Sequence, residues 1–303
     1  MIYIVSNRNI NEDYDDERLF GDDFNQEGSD ILRVAKAERS DHWKLHLLAE
    51  NESFLPLERV FLESEGDDRP TVVFIHGYNQ SLVDNLDKCQ EIASYGVSVI
   101  AFSWPSNPGP QCIFGKIKEY KKARKNARRS LFALERFFDK LVGFVENHGE
   151  TKMLRSLMAH SMGNFLLQSF IMNPDFENQT AIFKNIILHQ ADVDNLAHEV
   201  WVDRVGQDSQ VLVTINESDD ILDYSDIINL DRLGNSAFNL DAKYANYYDF
   251  TRAYGCDDSH RLWHKPALKN SHVKSFFQQA FWGKGIEGEG MQFNPQKNCY
   301  VVR

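Results

Sequence analysis

No stretch of this 303-residue chain approaches the ~20 consecutive apolar residues needed to span a bilayer, so stable membrane insertion is not expected. Cysteine is scarce. Cys89, Cys112, Cys256 and Cys299 are far apart, and no pair has CxxC or zinc-finger spacing. That pattern excludes a disulfide framework and a cysteine metal site, and reads as reduced thiols in a cytoplasmic protein. The opening MIYIVSNRNI lacks a charged segment followed by a long apolar core, so it reads as a first strand rather than a signal peptide. The closing CYVVR is not a prenylation box, because its cysteine is fifth from the end. Basic charge is also in deficit. A net charge of -12 argues against a nucleic-acid partner.

What is present is core-forming material. Hydrophobic residues make up 42% and charged residues 26%, as in globular enzymes. Short apolar runs alternate with longer amphipathic ones, and no internal repeat interrupts them. The pattern predicts an α/β fold in one domain over 1–282, with a mostly parallel central sheet flanked by helices. TVVFIH (71–76), VSVIAFSW (97–104), KMLRSLMA (152–159), KNIILHQ (184–190) and QVLVTIN (210–216) are the expected parallel strands, and NYYDFTR (246–252) a final one. IYIVS, WKLHLLAE and RVFLES, within residues 1–65, are expected as an N-terminal antiparallel meander. Residues 11–30 hold nine acids and one arginine and read as a solvated loop pinned by Phe20 and Phe24. Residues 283–303 read as a loosely ordered tail, and 223–245 as a candidate lid.

Residues 116–142 read as one helix, with an apolar stripe through Tyr120, Ala123, Ala127, Leu131, Leu134 and Phe138. Between 116 and 129 the other faces carry eight Lys/Arg and one Glu. The simplest reading is the solvated face of a packed helix. An anionic substrate or membrane surface is the alternative.

The chemistry concentrates at MAHSMGN (158–164), where a strand ending at Ala159 runs into an apolar helix through Ser161. A serine on a sharp strand-to-helix turn needs small residues two places before and two after it. Ala159 and Gly163 fill those places. The helix start then aims free N–H groups at charge developing beside the serine. FIHGYNQS (74–81) follows a strand upstream, and Gly77 allows close backbone approach. By position, the backbone N–H groups of Tyr78 and Met162 are the expected oxyanion donors. His76, Gly77, Asn79, Trp104, His160 and Asn164 flank these motifs and are candidates to line the site.

An acid and a base must follow the serine in that order. In QVLVTINESDDIL, Asp219 occupies the turn after a strand, with Asp220 and the earlier Asp192 as alternatives. His260, His264 and His272 follow. Ser271 reads as a helix cap, which puts His272 inside a helix. His264, on the loop ahead with Pro266, is preferred over His260.

Taken in order, FIHGYNQS, AFSWPSNP, LMAHSMGNFLL, ILHQADVDN, ESDDIL and DRLGNS resemble a largely bacterial family of α/β hydrolases of unknown function, over roughly residues 70–280. The resemblance implies an α/β-hydrolase fold with nucleophile Ser161, acid Asp219 and base His264, the last matched through Asn270 and Val273. Where the family usually has an aromatic after that histidine, this chain has Lys265-Pro266. The expectation is a serine hydrolase cleaving a carboxylic ester, lipid ester or thioester, with no metal or organic cofactor. A membrane-acting lipase and a non-catalytic binding module on the same fold are the alternatives.

Overall fold

The alternation of apolar and amphipathic runs becomes strands and helices in the computed structural model, which describes residues 1–48, 56–106, 113–148, 154–205, 208–226, 230–264 and 267–303. The chain divides into two compact units, Met1–Leu154 and Arg155–Arg303.

In the first unit the strands are β1 (Ile2–Ser6), β2 (Arg8–Ile10), β3 (Phe20–Phe24), β4 (Arg33–Arg39), β5 (Trp43–Leu47), β6 (Thr71–Ile75) and β7 (Ser98–Ser103). The helices are α1 (Pro56–Glu65), α2 (Leu82–Ala93), α3 (Ile113–Arg129) and α4 (Leu131–His148). The sheet runs β6-β7-β1-β4-β5, parallel through β6, β7 and β1, then antiparallel. Every residue of β1, β6 and β7 is buried, as strands covered on both faces require.

Three expectations change here. RVFLES is not a strand but part of α1, because Leu57, Val60, Phe61 and Ser64 are its buried residues and their spacing is helical. The antiparallel edge is completed instead by β4. The acidic segment 11–30 is not all loop. Phe20–Phe24 forms β3 against β2, and the Arg129 guanidinium lies 4.2 Å from the Phe24 ring centre. The helix expected over 116–142 is divided at Ser130, whose hydroxyl accepts a 3.1 Å hydrogen bond from Asn7.

The second unit contains β8 (Leu154–His160), β9 (Asn185–His189), β10 (Gln210–Ile215), β11 (Ala245–Asp249), β12 (Met291–Asn294) and β13 (Cys299–Val302). Its helices are α5 (Gly163–Ile171), α6 (Glu199–Val205), α7 (Asp220–Asp226) and α8 (Ser271–Phe281). Strands β8, β9, β10, β11 and β13 lie side by side and parallel, and β12 pairs antiparallel with β13. Residues 283–303 are therefore not a loose tail. Cys299 and Val302 are buried, and Gly290 packs so closely on the His272 ring that a Cβ there would lie 2.4 Å from it.

The segment expected as a lid is likewise built in. Arg232, Leu233, Gly234, Asn235, Ser236 and Ala237 are buried, while 227–229 lie outside the described residues. Among the described residues no helix is long and apolar enough to cross a membrane.

The terminal hairpin covers the edge of β11. Deleting residues 291–303 exposes that edge and the side chains beneath it. Thermal denaturation is expected to show Tm lowered by roughly 5 °C or more, with self-association visible on size exclusion.

Candidate functional site

The site in the second unit starts at the exit of β8. Ser161 has φ 54°, a left-handed conformation that costs a non-glycine residue roughly 1–3 kcal/mol. Its neighbours hold it there. The Ser161 N–H donates to the His189 carbonyl at 3.0 Å, and the Asp192 N–H donates to the Ser161 carbonyl at 3.2 Å. Asn164 is fully buried. Its side-chain amide donates to the carbonyls of Ala159 (2.9 Å), Ser161 (3.1 Å) and His189 (3.3 Å), bracing the turn rather than facing solvent. The Met162 N–H has no acceptor among the described residues, and it sits where α5 begins.

Asp219 follows β10 and is completely buried. Its Oδ1 accepts from the N–H groups of Ile221 (3.0 Å) and Leu222 (3.2 Å), and its Oδ2 accepts from Gln190 Nε2 (2.9 Å) and His260 Nδ1 (2.6 Å). Burial by itself would raise the carboxyl pKa. The His260 imidazole and these hydrogen bonds outweigh it and hold the carboxyl below its ordinary value.

The sequence reading preferred His264. The structure puts the imidazole of His260 on Asp219. His260 Nε2 is buried without a hydrogen-bond partner among the described residues, and the His260 carbonyl accepts from His160 Nε2 at 3.0 Å. The two rings lie 4.7 Å apart, so His260 packs on the residue that precedes Ser161. His264 is half-buried four residues further on, where its carbonyl accepts from Leu268 N–H at 3.3 Å; Lys265 and Pro266 lie outside the described residues. His272 lies in the first turn of α8, and the cap of that helix is Asn270, not Ser271.

The other candidate acids are placed differently. Asp220 is exposed at the start of α7. Asp192 Oδ1 lies 3.9 Å from Arg232 Nε, and Arg232 also reaches Asp194 at 2.6 Å.

Two residues escaped the sequence reading. Gln190, fully buried with φ 40°, holds Asp219 by its amide while its Oε1 accepts from Thr214 Oγ1 at 3.2 Å. His189 donates from Nδ1 to Thr214 Oγ1 (2.9 Å) and accepts from the Leu262 N–H at Nε2 (3.4 Å). The only signal was HQ at the end of an apolar strand, where polar groups need partners. Gly234, within the DRLGNS motif, closes the arrangement. Its N–H donates to the Ala191 carbonyl (3.0 Å) and its carbonyl accepts from the Asn216 N–H (2.9 Å). A Cβ on Gly234 would lie 2.3 Å from the Ala191 nitrogen.

Tyr78, Gly77, Asn79, His76 and Trp104 belong to the first unit. There His76 and Trp104 are fully buried and join the exits of β6 and β7. Trp104 N–H donates to His76 Nε2 (3.0 Å), Trp104 Nε1 to the His76 carbonyl (2.9 Å), and His76 Nδ1 to the Gly77 carbonyl (2.9 Å). Arg8 is buried too. It donates to Ser103 Oγ (3.0 Å) and the Gln80 carbonyl (2.8 Å), and burial lowers its pKa to about 10.

Compared with known proteins, residues 58–280 match the model of a family described as an alpha/beta hydrolase of unknown function (DUF900). No curated protein and no solved structure shows significant similarity to the chain.

Burial holds the pKa values of His76 and His189 well below the ordinary histidine value, the Arg8 charge adding to the effect at His76 and the His260 charge at His189. Between the folded and unfolded values the unfolded chain binds more protons, so stability is lost as pH falls below about 6.5. Urea titrations are expected to show stability falling with a limiting slope of about 1.4 kcal/mol per pH unit for each histidine. A flat profile from pH 7 to 5 would contradict this. Gly234→Ala forces the backbone at Gln190 and Ala191 apart. Chemical denaturation is expected to show a loss of at least about 1–3 kcal/mol.

Proposed function

The chain belongs to this alpha/beta hydrolase family of unknown function (DUF900), and from that premise we propose that it is a serine hydrolase with nucleophile Ser161, base His260 and acid Asp219. One observation carries the reading. A buried aspartate and an imidazole share a 2.6 Å hydrogen bond, and that imidazole packs on the residue next to a serine held in a left-handed turn. His260 takes the role that sequence alone assigned to His264.

The chemistry follows from the donors and acceptors. His260 keeps its proton on Nδ1 against Asp219, which leaves Nε2 as the acceptor for the Ser161 hydroxyl proton. Ser161 Oγ attacks the carbonyl carbon of a carboxylic ester, lipid ester or thioester. The Met162 N–H, open at the start of α5, stabilises the oxyanion. His260 then gives its proton to the departing alcohol or thiol. Water, deprotonated by the same nitrogen, attacks the acyl carbon, and the Oγ–acyl bond breaks as His260 returns that proton to Ser161 Oγ, releasing the acid. Asp219 stays ionised throughout and steadies the imidazolium. Gln190 keeps the carboxylate in register with the ring.

Ser161→Ala and His260→Ala are each expected to abolish fluorophosphonate labelling and to lower p-nitrophenyl ester hydrolysis by about a thousandfold or more. His264→Ala is expected to stay within a few-fold of wild type. Loss of labelling in His264→Ala with retention in His260→Ala would reject the assignment. Absence of labelling in the wild-type protein would reject the hydrolase reading itself.

A further inference from the structure

Helix α3 carries charge that the catalytic reading does not use. The chain is net negative by 12, yet residues 118–129 hold seven Lys/Arg against one Glu. At 100° per residue, Lys118, Lys121, Lys122, Lys125, Arg128 and Arg129 fall within an arc of about 120°. Tyr120, Ala123 and Ala127 are buried on the opposite side. The six cations are all exposed. Over these eleven steps the stripe runs for about 16 Å.

An ordinary solvated helix face intersperses acids with its bases. Here Lys118, Lys121, Lys122 and Lys125 have no ion-pair or hydrogen-bond partner among the described residues. Asp22, the acid on the neighbouring β3 strand that pairs with a cation, is engaged by Arg8. Among the described residues the four lysines are therefore an uncompensated row of positive charge.

Two large apolar side chains stand near its ends. Phe132 is 63% exposed and Ile117 is 41% exposed. The hydrogen-bond ladder continues past Ser130, since the Ser130 N–H donates to the Asn126 carbonyl (2.9 Å) and the Leu134 N–H to the Ser130 carbonyl (3.0 Å). Phe132 therefore stays on the face of the lysines. A row of lysines with an aromatic ring in the same plane matches a surface that is anionic at its headgroups and apolar just beneath. A polyanion such as RNA would use the lysines but has no call for an exposed aliphatic side chain at the rim.

We infer that the outer face of α3 docks the protein on membranes containing anionic lipid, with the four lysines supplying the attraction and Phe132 entering the interface. The contact is peripheral and reversible, and it does not depend on Ser161 chemistry.

Co-sedimentation of the full chain with vesicles of 70:30 phosphatidylcholine:phosphatidylserine tests it, with pure phosphatidylcholine vesicles and a 30-nucleotide single-stranded RNA as comparisons. Binding is expected on the anionic vesicles alone, and it should weaken steeply between 0.05 and 0.5 M salt. The variant carrying Lys118→Glu, Lys121→Glu, Lys122→Glu and Lys125→Glu is expected to lose affinity by about six hundredfold or more, at roughly five-fold per lysine. The milder set of four Lys→Gln changes should lose nearly as much, and it serves if the first variant fails to fold. Phe132→Ser should lose several-fold. Equal sedimentation with both vesicle types, or unchanged binding by a folded quadruple variant, overturns the inference. Tighter binding to the RNA than to the anionic vesicles overturns the lipid assignment.

Discussion

A carboxylate with no access to water must be surrounded by donors, and Asp219 is that carboxylate. Its two oxygens take four hydrogen bonds, from Ile221, Leu222, Gln190 and His260. Meeting this demand fixes much else. The two backbone donors require α7 to begin immediately after the acid. Gln190 requires the exit of β9 to bend, which it does with a positive φ. His260 requires the loop after β11 to return to the sheet edge. Satisfying one buried charge thus draws three strand exits together at the place where Ser161 is held.

The same logic explains the histidines. His76, His160, His189 and His260 all sit at strand exits or the loop returning to them, and His260 is the one that meets the Asp219 carboxylate. His76 and His189 act as small polar spacers that link backbone and hydroxyl groups where the ladders end. His76 ties Trp104 to Gly77, and His189 ties Leu262 to Thr214. Burial keeps His76 and His189 neutral, so each can donate from one nitrogen and accept at the other.

Most of the parallel core was legible from sequence, because strands buried on both faces are continuous apolar runs and lie where TVVFI, SVIAFS, NIILH and QVLVTI predict. The positions of Ser161 and Asp219 at strand exits were legible because each follows such a run at a fixed offset. Less of the edges was readable. RVFLES carries enough apolar residues for either a strand or a helix, and only the burial of Leu57 with Phe61 and Ser64 decides it. RVAKAER, with four charged residues in seven, gave no strand signal and still forms β4, which pairs with both β1 and β5 and buries Val34, Ala35 and Ala37. The histidine was the hardest. His260 and His264 sit one helical turn apart in a loop with no periodicity, and what selects between them is the three-dimensional return of that loop to Asp219.

Gly234 gives the segment after α7 a further property. With backbone packed directly on the backbone of Gln190 and Ala191, no deformable side chain lies between them to absorb a displacement. The same segment carries exposed Leu230 at one end and exposed Phe238 at the other. The residue whose side-chain amide holds Asp219 thus rests on a backbone-to-backbone contact, between two exposed apolar side chains in sequence, with no compressible side chain inside it.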